Sequence, residues 1–165
     1  MTTFALLGRG HVGSNVIRMM LESGYDLKTV GVLNDDKPNI YPVAVTTDID
    51  SILEDETIDA LIEAIPNDIE SFDYVSKALI SGKTVITCNK KLVSRYIDDL
   101  GKVADSVGSV IYLDSITAPL EIIDGGLTHK NISKFKHDEL YCFRGGGGLE
   151  TAEAIMRDVG RVSLL

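Results

Sequence analysis

Basic residues are in the minority in this chain: 16 Lys and Arg stand against 25 Asp and Glu, a formal charge of −9 at pH 7. Nucleic acid and anionic membrane both demand a basic face, so neither is an expected partner. Long apolar runs are also missing, none approaching the ~18 residues of a membrane span. Cysteine is scarce. The two present, Cys88 and Cys142, lie too far apart to fit a metal or redox spacing, so no metal site is expected. A reducing cytoplasm is the simple reading. The opening "MTTFALLGRG" lacks the basic n-region of a signal peptide, and glycines cut its apolar stretch at once, so it reads as a first strand. Internal repeats and low-complexity tracts are absent as well.

What is there fits one domain of ordinary size, residues 1–165, with 44% hydrophobic residues to build a core. "TFALL" at 3–7 is a short apolar run ending in glycine. Val12, Val16, Ile17, Met20 and Leu21 follow at helical spacing. "LKTVGVLN" at 27–34 reads as a second strand and "YPVAV" at 41–45 as a weaker third. Thr47 with Asp50 resembles a capping box opening a short helix through Leu53. "DALIEAI" at 59–65 is a buried-looking strand stopped by Pro66, followed by a helix ending at Gly82. "KTVITC", a long amphipathic helix from Lys91 to Val107, and "SVIYLD" complete the alternation. Strands alternating with helices of this length predict an α/β fold, a doubly wound, mostly parallel sheet of about six or seven strands. A polar connector, "GGLTHKNISKFKHD" at 125–138, interrupts the pattern. The chain then starts a new strand, Glu139 to Phe143, a glycine turn and a helix within 139–165.

"GRGHVG", Gly8 to Gly13, fits G-x-G-x-x-G between a strand and a helix. Gly8 makes the tight turn, Gly10 lets the backbone approach a pyrophosphate, and Gly13 lets helix and strand pack closely. The helix N-terminus, beginning at His11 and Val12, then offers N–H groups to phosphates. The plain alternative is a structural glycine turn. An acid about 20 residues on binds ribose hydroxyls when the cofactor is NAD, and "LNDDK" supplies Asn34, Asp35 and Asp36, with Asp35 the first choice. Lys37 would meet the 2′-phosphate of NADP, or be loop surface. "EAIPND" at 63–68 lies at a strand's carboxyl end, where ligands bind in such sheets, and puts Ile65 and Pro66 near the cofactor. Glu63, in a buried run, is either a hydrogen-bonded structural carboxylate or a ligand contact. Asn89 and Lys90 end the next strand on the same rim. A lysine there exchanges a proton with an alcohol or carbonyl if desolvation lowers its pKa, and is otherwise surface. Lys91 reads as solvent-facing. His11 sits beside the phosphates, while His129 and His137, in the connector without a triad or metal cluster, read as surface residues.

The order "ALLGRGHVG", "DALIEAIP", "GKTVITCNKKLVS", "YLDS…APLEII", "GGGGLETAEAIMRD" resembles the homoserine dehydrogenase family over nearly the whole chain. The block "GKTVITCNK" is the most specific part, departing at Cys88. Gly145 to Gly148, Thr151 and Ala152 match the family's later glycine segment and helix. The resemblance implies NAD or NADP binding through Gly8, Gly10 and Gly13, and a proton-transfer role for Lys90. It also implies an interrupted domain: family members leave the dinucleotide-binding domain for a substrate domain and then return. Here the connector 125–138 stands where that substrate domain is expected. Asp114 in "DSITAP" stands where the family has an acid, but the glycines before Pro119 are missing.

Three functions follow from these readings: a homoserine/aspartate-semialdehyde oxidoreductase, a catalytically inactive dinucleotide-binding or regulatory module, and an inert domain whose glycine turn binds nothing. A small-molecule substrate is expected in the first. Leu120, Ile122, Ile123 and Leu127, apolar at near-helical spacing, are either core or a dimer face. A homodimer is expected on that ground, and the first function also expects a partner chain or a close oligomer to supply the missing walls of the substrate site.

Overall fold

A computed structural model describes residues 1–116, 125–134 and 147–165. The chain alternates strand and helix: β1 (Thr3–Leu7), α1 (His11–Glu22), β2 (Asp26–Gly31), β3 (Ala44–Thr46), α2 (Ile49–Glu54), β4 (Ala60–Glu63), α3 (Asp68–Ile80), β5 (Thr84–Thr87), α4 (Lys90–Val107), β6 (Ile111–Tyr112) and α5 (Gly147–Val162). Among the described residues six strands pair in the order β3-β2-β1-β4-β5-β6, and every pair is parallel. This is the doubly wound order, in which the chain reverses direction between β1 and β4.

The apolar runs explain the layers. Along β1, Phe4 and Leu6 pack into one core with Val16, Ile17 and Met20 of α1 and Ile155 and Val159 of α5. Ala5 and Leu7 pack into the other, with Leu53, Leu79, Leu92 and Leu100 from α2, α3 and α4. A strand buried on both faces needs no polar alternation, which is why "TFALL" and "ALIE" read as continuous hydrophobic runs. No helix among the described residues is long and apolar enough to cross a membrane.

Several details differ from the sequence reading. The short helix α2 is capped by Asp48, whose carboxylate accepts from Ser51 N, rather than by Thr47; the Asx side chain one residue later reaches the open N–H. β2 ends at Gly31, before "VLN", and β6 is only two residues long. The connector's first half is folded against the sheet edge. Tyr112 bridges Thr128 in antiparallel sense, Leu113 N donates to Leu127 O at 2.8 Å and His129 N donates to Ile111 O at 3.1 Å. Leu127 is fully buried in the core. His129 is not a surface residue: its side chain is 2% exposed, its Nε2 lies 3.0 Å from Asp105 Oδ1, and its Nδ1 accepts from Ile111 N. The expected strand at Glu139 to Phe143, His137, Cys142, and the apolar residues Leu120, Ile122 and Ile123 lie outside the described residues.

Asp114, at the end of β6, is where connector and α5 meet. It is buried, accepts from Leu127 N at 2.7 Å and pairs with Arg161 at 2.5 Å and Arg157 at 3.5 Å, both on α5. Its own N–H donates to the buried Asp158 of α5.

Candidate functional site

Where β1 and β4 part, their carboxyl ends open a cleft, and the glycine turn forms its floor. Gly8 follows β1 at φ +98°, a left-handed conformation, and a Cβ there would stand 2.5 Å from the carbonyl oxygen of Ala64 after β4. Glycine is required both for the turn and for this approach. A Cβ on Gly13, in the first turn of α1, would collide with the carbonyl of Gly8, so Gly13 lets helix and turn close. Gly10 is different. A Cβ there would meet nothing within 4 Å, and the space it would enter belongs to the cleft.

The same turn leaves the N-terminus of α1 open. Asp48, Asn67 and Asn89 cap α2, α3 and α4 with their side chains, whereas α1 starts at Gly10 with no side-chain cap and no acidic residue in its first turn. Among the described residues no side chain caps the first N–H groups of α1, and with the positive end of the helix dipole they make a setting that suits phosphate. The shape and the donors fit a dinucleotide pyrophosphate.

Two cavities run along this floor. One, of about 200 Å³, is lined by Gly8, Arg9, Gly10, Asn34, Asp36, Lys37, Ile65 and Pro66, among others. The other, of about 710 Å³, is lined by Gly10, His11, Val12, Ile65, Pro66, Cys88, Asn89, Lys90, Lys91, Ser115 and Thr151, with Ala64. The fold thus brings most of the expected cofactor residues, and Lys90, to one rim. Gly13 lies behind the floor, in the packing of α1, and Asp35 lines neither cavity.

Beneath the rim lies a buried polar network that explains Glu63. Fully buried, its carboxylate accepts from Thr87 Oγ at 2.6 Å, Ile65 N at 2.7 Å and Ser71 Oγ at 2.9 Å. Desolvation pushes its pKa up, opposed by these hydrogen bonds. Asn89 extends the network: its amide donates to Ile65 O at 3.0 Å, its Oδ1 accepts from Leu92 N, and its N–H donates to Thr87 Oγ. Glu63 and Asn89 therefore fix the ends of β4 and β5 relative to one another, and with them the first residue of α4, Lys90.

Lys90 is half-buried at that helix start, and desolvation lowers its pKa. The positive end of the α4 dipole disfavours an ammonium in the same direction. Lys91, next along, is exposed at the cleft's edge. Cys88 carries a half-buried free thiol, which burial and then the Glu63 carboxylate push up to about 12. It stays protonated and unreactive near neutral pH.

Sequence reasoning passed over Arg9, the variable residue inside the glycine turn. Its side chain is 6% exposed, and its Nη2 donates to Asp35 Oδ1 at 3.0 Å and to Lys37 O at 2.8 Å. A bulky charged residue inside a glycine turn was the available signal.

Comparison with known proteins places this geometry. The family model of the homoserine dehydrogenase NAD-binding domain matches residues 8–114. Homoserine dehydrogenase of Corynebacterium glutamicum is 31% identical over 126 residues, 69% of this chain and 28% of the relative. That of Bacillus subtilis is 29% identical over 146 residues, 78% of this chain and 34% of the relative. The crystal structure of S. aureus homoserine dehydrogenase matches with a TM-score of 0.64 at 28% identity, over 69% of this chain and 33% of that one. The chain spans about a third or less of the length of these relatives.

Proposed function

This chain belongs to the homoserine dehydrogenase family, and on that premise we propose that it is the cofactor-binding part of an NAD(P)-dependent oxidoreductase acting on homoserine and aspartate semialdehyde. The observation that carries the reading is the coincidence, in one cleft, of the open cradle at Gly10, the uncapped start of α1 and Lys90. Gly8, Gly10, His11 and Val12 would hold the pyrophosphate. Asn34 and the residues beside it would face the adenosine, Ile65 and Pro66 would close over the middle, and Asn89 with Lys90 would meet the nicotinamide end.

Bound there, the dinucleotide supplies the hydride acceptor. In the oxidising direction the neutral amine of Lys90 would accept the hydroxyl proton of the alcohol. In the reducing direction the Lys90 ammonium returns it. The lowered pKa of Lys90 favours the neutral form that the first direction needs. Glu63 acts through Asn89 and Ile65, holding Lys90 at the rim without touching substrate.

In this reading the connector 125–138 is too short to be a substrate domain between β6 and α5, and the remaining wall of the substrate site comes from elsewhere, a homodimer partner or another stretch of polypeptide. A reducing cytoplasm fits the free thiol of Cys88. A second reading is a binding module without turnover, favoured by the short connector 125–138 in place of a substrate domain.

The test is homoserine-dependent reduction of NAD+ and NADP+ by the wild type and Lys90→Ala at saturating cofactor. We expect turnover that falls by roughly 10²–10⁴-fold in the variant. Equal rates in the two proteins would remove Lys90 from the mechanism, and cofactor binding without turnover in either would leave the binding module.

A further inference from the structure

We infer that Arg9 and Lys37 make this site selective for the 2′-phosphorylated dinucleotide, NADP over NAD; the inference rests on the dinucleotide-binding reading above and goes beyond it. Four charged residues gather at the adenosine end of the cleft: Arg9, Asp35, Asp36 and Lys37. In an NAD site the acid after the second strand turns toward the ribose and accepts from its hydroxyls. Here Asp35 turns toward Arg9 and lines neither side of the cleft. Its carboxylate serves to hold the guanidinium in place.

Arg9 itself is incompletely satisfied. Its Nη2 is engaged, but Nη1 is buried and has no hydrogen-bond partner among the described residues. Buried polar atoms are nearly always paired, so the guanidinium keeps capacity for a further acceptor, and Arg9 lines cavities on both sides.

A third cavity, of about 580 Å³, lies on the other side of Arg9, sharing Arg9, Gly10 and Lys37 with the adenosine cavity. Ser14, Asn15 and Tyr41 add a hydroxyl, an amide and a phenol to its wall, and no carboxylate lines it among the described residues. In a chain carrying −9 overall, a cavity walled by a guanidinium, an ammonium and neutral polar groups complements a dianion. Its position beside the adenosine cavity is where a phosphate on the ribose would extend. A planar guanidinium pre-set by Asp35 suits a phosphate better than a flexible amine alone. The opposing feature is Asp36, an exposed carboxylate lining the adenosine cavity, which would favour unphosphorylated ribose.

The test is calorimetric titration of the full chain with NADP+ and NAD+, and with 2′,5′-ADP and 5′-ADP as the adenosine fragments. We expect the phosphorylated ligand of each pair to bind roughly ten- to a hundredfold tighter, the range of one or two charge-assisted hydrogen bonds. Arg9→Met, which keeps the buried stem, and Lys37→Ala, at an exposed position, should each shrink that ratio toward one, chiefly by weakening the phosphorylated ligand. Lys37→Ala keeps the test valid if the Arg9 variant does not fold. Equal affinities, or NAD+ the tighter with Asp36→Asn abolishing the preference, would overturn the selectivity while leaving dinucleotide binding intact. Binding of neither dinucleotide would overturn both.

Discussion

Gly10 and Gly13 stand three residues apart in one turn, yet substitution should affect them in opposite ways. At Gly13 an added methyl collides with the carbonyl of Gly8, a backbone atom that cannot swing aside. At Gly10 it enters open cleft. We expect Gly13→Ala to cost ~3 kcal/mol of stability, the upper end for overpacked core positions, because the obstructing atoms are backbone. Gly10→Ala should stay within ~1 kcal/mol of the wild type and still lose dinucleotide binding. Urea denaturation and NADP+ titration of the two variants check this; a Gly10→Ala protein that binds normally would show that the cradle does not hold the pyrophosphate. The glycines were legible because their spacing between an apolar run and a helical stripe reports a local turn. Asp35 was only half legible: its position after β2 could be counted, but its partner Arg9 lies 26 residues earlier, and only the fold makes them neighbours. Glu63 was recognisable as a charge in a buried run, whereas its donors come from β5, α3 and the loop after β4 and have no common sequence signal.

At the scale of elements, the order and type of β1 to β6 and α1 to α4 could be read from periodicity, because buried parallel strands and amphipathic helices leave distinct patterns. Boundaries were harder, since β2 and β6 stop earlier than their apolar runs. The connector misled by composition at His129, which read as surface, while Leu127 stood open as core or dimer face; both pack against the edge of β6. The junction of β6, connector and α5 carries a titration that no pattern announces. Burial, and then the neighbouring Asp114, push Asp158 from an ordinary 3.8 up to about 7, although Arg161 pairs with it at 2.7 Å. Between those two values the folded chain keeps a proton that the unfolded chain has lost. Asp158 thus contributes stability that is fully present below pH 3.8 and lost as pH rises through about 7. Asp158→Asn removes this titration. The stability of the wild type relative to the variant should therefore fall between pH 5 and pH 8 by on the order of 2–3 kcal/mol, read from urea denaturation at both values. A gap independent of pH would mean that Asp158 is already ionised at pH 5.

For the whole molecule, the consequence of the β3-β2-β1-β4-β5-β6 order is that the cofactor cleft is built almost entirely from one continuous stretch. Its walls come from residues 8 to 115, with Thr151 from α5 the exception among the described lining residues. Nothing in that set requires a substrate domain, so dinucleotide binding should be a property of this chain alone, separable from turnover. NADP+ at a hundred times its dissociation constant should then add ~2.7 kcal/mol to the unfolding free energy. For a domain of this size that is a rise of roughly 5–10 °C in Tm. Homoserine is not needed for the effect, and Gly10→Ala should abolish it while melting near the wild-type temperature without ligand. Thermal unfolding with and without each dinucleotide measures this directly. A chain that folds cooperatively but gains nothing from NADP+ or NAD+ would have kept the family's sheet and lost its ligand, and the proton transfer at Lys90 would have no acceptor for the accompanying hydride.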